Sequence, residues 1–144
     1  MDELTQAFLT SSLTILGGII IFAVTKFGEI FCAEPVNHLN KLRGEIGHKL
    51  VLHANRFGNS DNLDDELMRE ASTEIRVLAS ELRSSVYVIK GYSLFSFFRL
   101  IEPKQNVLNA SRELIGLSNS ITRSDHEVIH KRIDKIEEYL EIKT

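Results

Sequence analysis

The sequence predicts an all-α chain, one N-terminal transmembrane helix followed by a compact antiparallel helical bundle. Three observations predict it. From Leu4 to Thr25 the chain runs without a charged residue. After residue 33, apolar residues recur at spacings of three and four, the period of a helix with one buried face. No part of that stretch sustains the alternation, punctuated by turns, that marks strands. The expected division is 1–33 for the tail and anchor and 34–144 for the bundle.

The uncharged run, "LTQAFLTSSLTILGGIIIFAVT", rises about 33 Å as a helix, against a hydrocarbon core of about 30 Å. Thr5, Gln6, Thr10, Ser11, Ser12 and Thr14 make its first half only moderately apolar, but hydroxyls can bond to the preceding turn. A cleaved signal peptide fits poorly, because "MDE" is acidic and no small-x-small site follows. Only Asp2 and Glu3 precede the run, whereas Lys26, Lys41, Arg43, Lys49 and Arg56 follow it. Positive charge collects on the cytoplasmic side, so the expectation is a single-pass inner-membrane protein, N-terminus out and bundle in the cytoplasm. The single cysteine, Cys32, excludes a disulfide framework and reads as a small apolar residue. Ser11, Thr14, Gly18 and Thr25 recur at heptad-like spacing and form a candidate face for close helix approach in lipid.

Pro35 suits a first helical turn. The helix it opens carries Val36, Leu39, Leu42, Ile46, Leu50, His53 or Ala54, and Phe57 on one face. Gly44 and Gly47 point to a close neighbour. "GNSDN" at 58–62 reads as a turn, and Asp64, Asp65 and Glu66 suit the positive end of the next helix. That helix buries Leu67, Ala71, Ile75, Leu78, Leu82, Val86 and Ile89 and stops near Gly91. The two form an antiparallel hairpin in which Lys49 and Arg56 approach the acidic start of the second. The alternative use of the basic helix is contact with anionic headgroups.

"GYSLFSFFRLIEP", residues 91–103, is too short to span a bilayer. It reads as a short helix or turn ended before Pro103. Tyr92, Phe95, Phe97 and Phe98 either plug the bundle core or, flanked by Lys90, Arg99 and Lys104, contact a membrane in plane. Tyr92, Phe95 and Phe98 therefore join the anchor stripe as candidate oligomer or membrane residues. A further helix follows with Val107, Ala110, Ser111, Leu114, Leu117, Ser118 and Ile121 on one side. The last begins at Ser124 and buries Val128 or Ile129, Ile133, Ile136 and Leu140, with Lys131, Asp134, Lys135, Glu138 and Glu141 as a solvated ladder.

The stretches "EPVNHLNKLRGEIGHKLVLHAN", "REASTEIRVLASELRS" and "ASRELIGLSNSI" resemble small, uncharacterised bacterial membrane-anchored proteins. The resemblance covers residues 34–121 and omits the last helix. It implies a bacterial origin and an all-helical domain, and carries no activity with it.

One motif points to chemistry. His126-Glu127-x-x-His130 matches HExxH, in which two imidazoles on one helix face bind zinc and the glutamate serves as general base. Four features argue against it. Ser124 and Glu127 form a capping box, which gives the glutamate a structural task. Lys131 and Arg132 place two cations beside the site. No third ligand follows at the extended-motif spacing, though His38, His48 or His53 could come in through the fold. The motif also lies outside the resemblance. Metal is thus not expected, and His126, Glu127 and His130 remain the candidates if one binds. Gly17-Gly18 falls inside the span, and Gly44 and Gly47 within a helix, so no phosphate loop exists; G-x-S-x-G is absent. A net charge of −3 gives no footing for nucleic acid.

The expected function is a non-enzymatic, cofactor-free, membrane-anchored interaction or assembly protein whose bundle binds a protein partner or another copy of itself. The alternatives are an oligomeric bacterial membrane effector, of phage-defence or toxin type, that perturbs the bilayer, and a zinc hydrolase.

Overall fold

A computed structural model describes residues 2–58, 65–121 and 126–143, excluding the side chains of Cys32, 55–58 and Asp65. The described residues are helical and contain no strand. Six α-helices follow one another: α1 (Glu3–Gly28), α2 (Glu34–Gly58), α3 (Asp65–Val88), α4 (Tyr92–Phe97), α5 (Lys104–Ile121) and α6 (His126–Leu140). A π-helical turn, Glu29–Ala33, lies between α1 and α2. The chain divides into two compact units, Met1–Glu34 and Pro35–Thr144.

In the first unit, α1 is long and apolar enough to cross a membrane, with a mean hydropathy of 2.2 in its most apolar window. It has no amphipathic stripe, because apolar residues occupy every side, and it buries none of its side chains. Its hydroxyls turn inward onto their own helix. Thr10 donates to the carbonyl of Gln6, Ser11 to Ala7 and Thr14 to Thr10, all at 2.8–2.9 Å. Between the end of α1 and the following turn, Lys26 pairs with Glu29 at 2.6 Å, and the rings of Phe27 and Phe31 lie 4.3 Å apart, tilted by 35°.

The second unit owes its shape to the apolar stripes. α2 buries Leu39, Leu42, Ile46 and Leu50; α3 buries Ala71, Ile75, Leu78, Ala79, Leu82 and Val86. From α5 come Val107, Ala110, Leu114, Leu117 and Ile121, and from α6 Ile129, Ile136 and Leu140, all in one cluster. α3 and α5 run antiparallel at close range. Ser72 donates to the Ser118 carbonyl and Ser111 to the Ala79 carbonyl, each at 2.8 Å, so a side chain of two heavy atoms spans the gap between helices. Small residues at 71, 72, 79, 110 and 111 make that approach possible, and the buried hydroxyls find acceptors in facing backbone. α5 and α6 are joined by Glu113, whose carboxylate takes Arg132 at 2.7 Å and Lys135 at 3.4 Å. The Arg132 guanidinium lies against the backbone of Gly116, where a Cβ would displace it.

α2 lies against α3 through Lys49 and His53, both on the Glu74 carboxylate at 3.0 and 2.8 Å. These residues sit about equally far from the α2 end and the α3 start, as antiparallel neighbours joined by a short connection do.

One expectation shifts by a helical position: Met68 rather than Leu67 enters the core. Where the period leaves two neighbours open, His53 is buried and Ala54 exposed, and Ile129 is buried where Val128 is only half so. Ile133 is partly buried. Gly44 is exposed with open space around it and is not a point of close approach. The 58–62 turn beyond Gly58, Asp64 and the Ser124 capping residue lie outside the described residues, as do the side chains of Cys32, Arg56 and Phe57.

Candidate functional site

The HExxH residues occupy the first turns of α6. His126 is half-buried, and Glu127 and His130 are exposed. The i,i+4 relation of the two histidines is formed. Among the described residues, however, no group of three His, Cys, Asp or Glu side chains could hold a metal. His38 and His48 are exposed on α2, and His53 is engaged with Glu74. Arg132, one turn along α6 on the α5 side, is committed to Glu113.

Two partly buried polar clusters emerge that spacing alone did not reveal. In the first, His53 Nε2 and Lys49 Nζ share one oxygen of Glu74. The hydrogen bond to His53 first, and that to Lys49 second, hold the Glu74 carboxyl below its ordinary value. A groove of about 520 Å³ opens beside it, with Val77 and Leu78 at its apolar side and Glu45, Glu70, Glu74 and Glu81 on its walls.

The second cluster brings the end of α6, Tyr92 of α4 and Glu102 of the α4–α5 connection together at Arg43 of α2. Its guanidinium donates to the carbonyl of Leu140 through Nε at 3.1 Å and Nη2 at 2.5 Å, and pairs with Glu102 at 2.9 Å. The Tyr92 hydroxyl donates to the Glu102 carbonyl at 2.7 Å. Arg43 thus supplies positive charge to the C-terminus of α6, where unsatisfied carbonyls favour it. Burial pushes the Glu102 carboxyl up; Arg43 offsets this only in part, and Glu141 adds to it. Burial, then the nearby Glu102 charge, raise the Tyr92 phenol to about 12. Only Glu102 carries a sequence signal, a charge set between Leu100-Ile101 and Pro103; Arg43, among Lys41, Gly44 and Glu45, carries none.

The aromatic segment 91–103 divides. Gly91 takes a left-handed φ of 72° and turns the chain out of α3. On α4, Tyr92 is buried and Phe95 packs partly on the core, whereas Leu94, Phe97, Phe98 and Leu100 are exposed. α4 ends in a Schellman motif: the Leu100 amide bonds to the Phe95 carbonyl at 3.0 Å, with Arg99 left-handed at φ 56°. Glu141, at φ 49°, ends α6 the same way, with Ile142 bonding to Glu137 at 3.1 Å. Of the candidate oligomer or membrane residues, Ser11, Thr14, Gly18, Thr25 and Phe98 are exposed, Tyr92 is buried and Phe95 is intermediate.

Compared with known proteins, the chain matches no family model, no curated protein and no solved structure.

Proposed function

We propose that this chain is a single-pass bacterial inner-membrane protein in which α1 is the span and the bundle is a cytoplasmic interaction module without catalytic activity. One observation carries the reading: α1 exposes apolar side chains all round, while residues from Pro35 onward bury a complete core of their own. A water-soluble helix with no polar side would be an anomaly; a helix solvated by lipid would not. The charge asymmetry, Asp2 and Glu3 before the span and Lys26, Lys41, Arg43 and Lys49 after it, supports an outward N-terminus. The α2–α3 groove beside Val77 supports a protein-binding role, since it offers an apolar strip rimmed mainly by carboxylates, with Lys49 held by Glu74 among them. Reporters fused after Thr144 test the arrangement. A cytoplasmic reporter should be active and a periplasmic one silent; the reverse result overturns the orientation. The exposed aromatic end of the bundle favours a second reading, an oligomeric effector that perturbs the bilayer. Depolarisation of cells overexpressing the protein would separate that reading from the first.

A further inference from the structure

The bundle carries an apolar surface that its own fold does not use. Tyr87 and Val88 at the end of α3, Leu94 and Phe97 on α4, and Phe98 and Leu100 in the turn after it are all more than half exposed. Phe97, at 79 %, is nearly as open as a residue in an unfolded chain. Six large apolar side chains within fourteen residues exceed the scattered exposure of an ordinary surface. The turn is also strained, because Arg99 holds a left-handed conformation that glycine adopts freely and arginine does not.

Three features of this surface describe its occupant. The first is its charge. Lys90, Arg99 and Lys104 accompany the apolar side chains, and Lys104 Nζ stands 4.8 Å over the Tyr87 ring. Aromatic rings interleaved with long cationic side chains match the headgroup level of a bilayer, where rings settle at the apolar boundary and cations meet phosphate. The second is its place. Arg43 of α2 reaches Glu102 and the end of α6, and Tyr92 reaches Glu102, so α4 stands at the end of the bundle where α2 begins. The third is its shape and sign. The surface is a short helix and turn, not a groove, and two such surfaces face to face would oppose like charges, which disfavours a symmetric contact between copies.

We infer that the Tyr87–Lys104 end of the bundle is a membrane-contact element that seats Phe97, Phe98 and Leu100 in the headgroup region of an anionic bilayer. The inference rests on the reading of α1 as a span, which tethers the bundle to a membrane.

The chain contains no tryptophan, so single tryptophans report depth without background. The full chain is reconstituted in phosphatidylglycerol–phosphatidylcholine vesicles carrying lipids spin-labelled near the headgroup or near the chain end. Three variants are compared: Phe97→Trp, Val77→Trp at an exposed site in mid-α3, and Leu16→Trp within α1. Headgroup-level label should quench Phe97→Trp several-fold more than Val77→Trp, and omission of phosphatidylglycerol should reduce the difference. Equal quenching at 97 and 77, with Leu16→Trp quenched by the deep label, would refute the contact element and leave the anchor standing. Leu16→Trp untouched by deep label would refute the anchor and the inference with it. A Phe97→Trp shielded from aqueous iodide but not quenched by lipid label would assign the surface to a protein neighbour and also refute it.

Discussion

α1 has 26 residues and buries none; α5 has 18 and buries eight. Both contain serines, and the contrast is clearest there. Ser11 in α1 donates back to its own helix, to the carbonyl of Ala7, whereas Ser111 in α5 crosses to the backbone of α3. A helix surrounded by hydrocarbon has to satisfy its polar groups internally, while a helix in a bundle can borrow acceptors from its neighbour. The two regions thus differ in where a hydroxyl finds its acceptor, within the helix in α1 and, at Ser111, across the bundle in α5. Substitutions should separate them.

The largest effects should fall on one region at a time. Leu114→Ala removes a fully buried side chain from the α3–α5–α6 core and should cost about 2–5 kcal/mol of bundle stability while leaving membrane retention unchanged. Leu16→Arg should do the reverse, costing about 2.5–3.5 kcal/mol of insertion and leaving the bundle's melting temperature intact. Thermal melts and membrane fractionation on both variants measure the pair. If either variant changed both readouts alike, the two regions would not be independent.

Arg43→Met comes next. It leaves the Glu102 carboxylate buried without its partner and strips α6 of its terminal cation. The expected loss is about 2–3 kcal/mol at neutral pH, less than for a fully enclosed pair because Arg43 is 20 % exposed. Its pH dependence is distinctive. The folded Glu102 carboxyl is raised above the ordinary 4.5, so it favours folding below that value, and this contribution is lost as pH rises through the raised one. Without Arg43 the carboxyl rises further. Chemical denaturation should therefore show the variant's deficit shrinking as pH falls toward 4.5.

Glu74→Gln should have a smaller effect of opposite pH sense. Glu74 is held low by His53 and Lys49, so its contribution is present above the ordinary 4.5 and lost as pH falls through the lowered value. With Glu74 34 % exposed, about 1 kcal/mol should be lost at neutral pH and almost nothing in acid. Denaturant midpoints of Glu74→Gln and wild type at the two pH values check it. Glu127→Gln should be smallest, about 0.3–1 kcal/mol, through one charge near the start of α6. Elemental analysis of untagged protein accompanies it. Stoichiometric zinc in the wild type, lost in His126→Ala, would reopen hydrolysis.

Helix number and most of the core were legible because burial repeats with the helical period; every residue expected on the inner face of α5 is buried. Leu67 against Met68 is an exchange of adjacent apolar residues, and a 3.6-residue period does not decide between neighbours at a stripe's edge, which also leaves the choice of Val128 or Ile129 open. Gly44 misleads for another reason: a glycine in a helix does not by itself mark a close neighbour. The Arg43–Glu102–Tyr92 cluster was not legible, because its members come from three segments brought together only by packing. The aromatic segment was legible as an oddity but not as a divided one. Which rings turn inward depends on the left-handed turns at Gly91 and Arg99, and only the first carries a glycine to announce it.

We propose that α1 resides in lipid and the bundle in water. Alkaline carbonate extraction of membranes from cells expressing the full chain tests it most directly, since it strips proteins held by surface contacts and leaves integral spans behind. The account predicts wild type in the pellet and Leu16→Arg enriched in the supernatant, still folded. Wild-type protein released into the supernatant would contradict it.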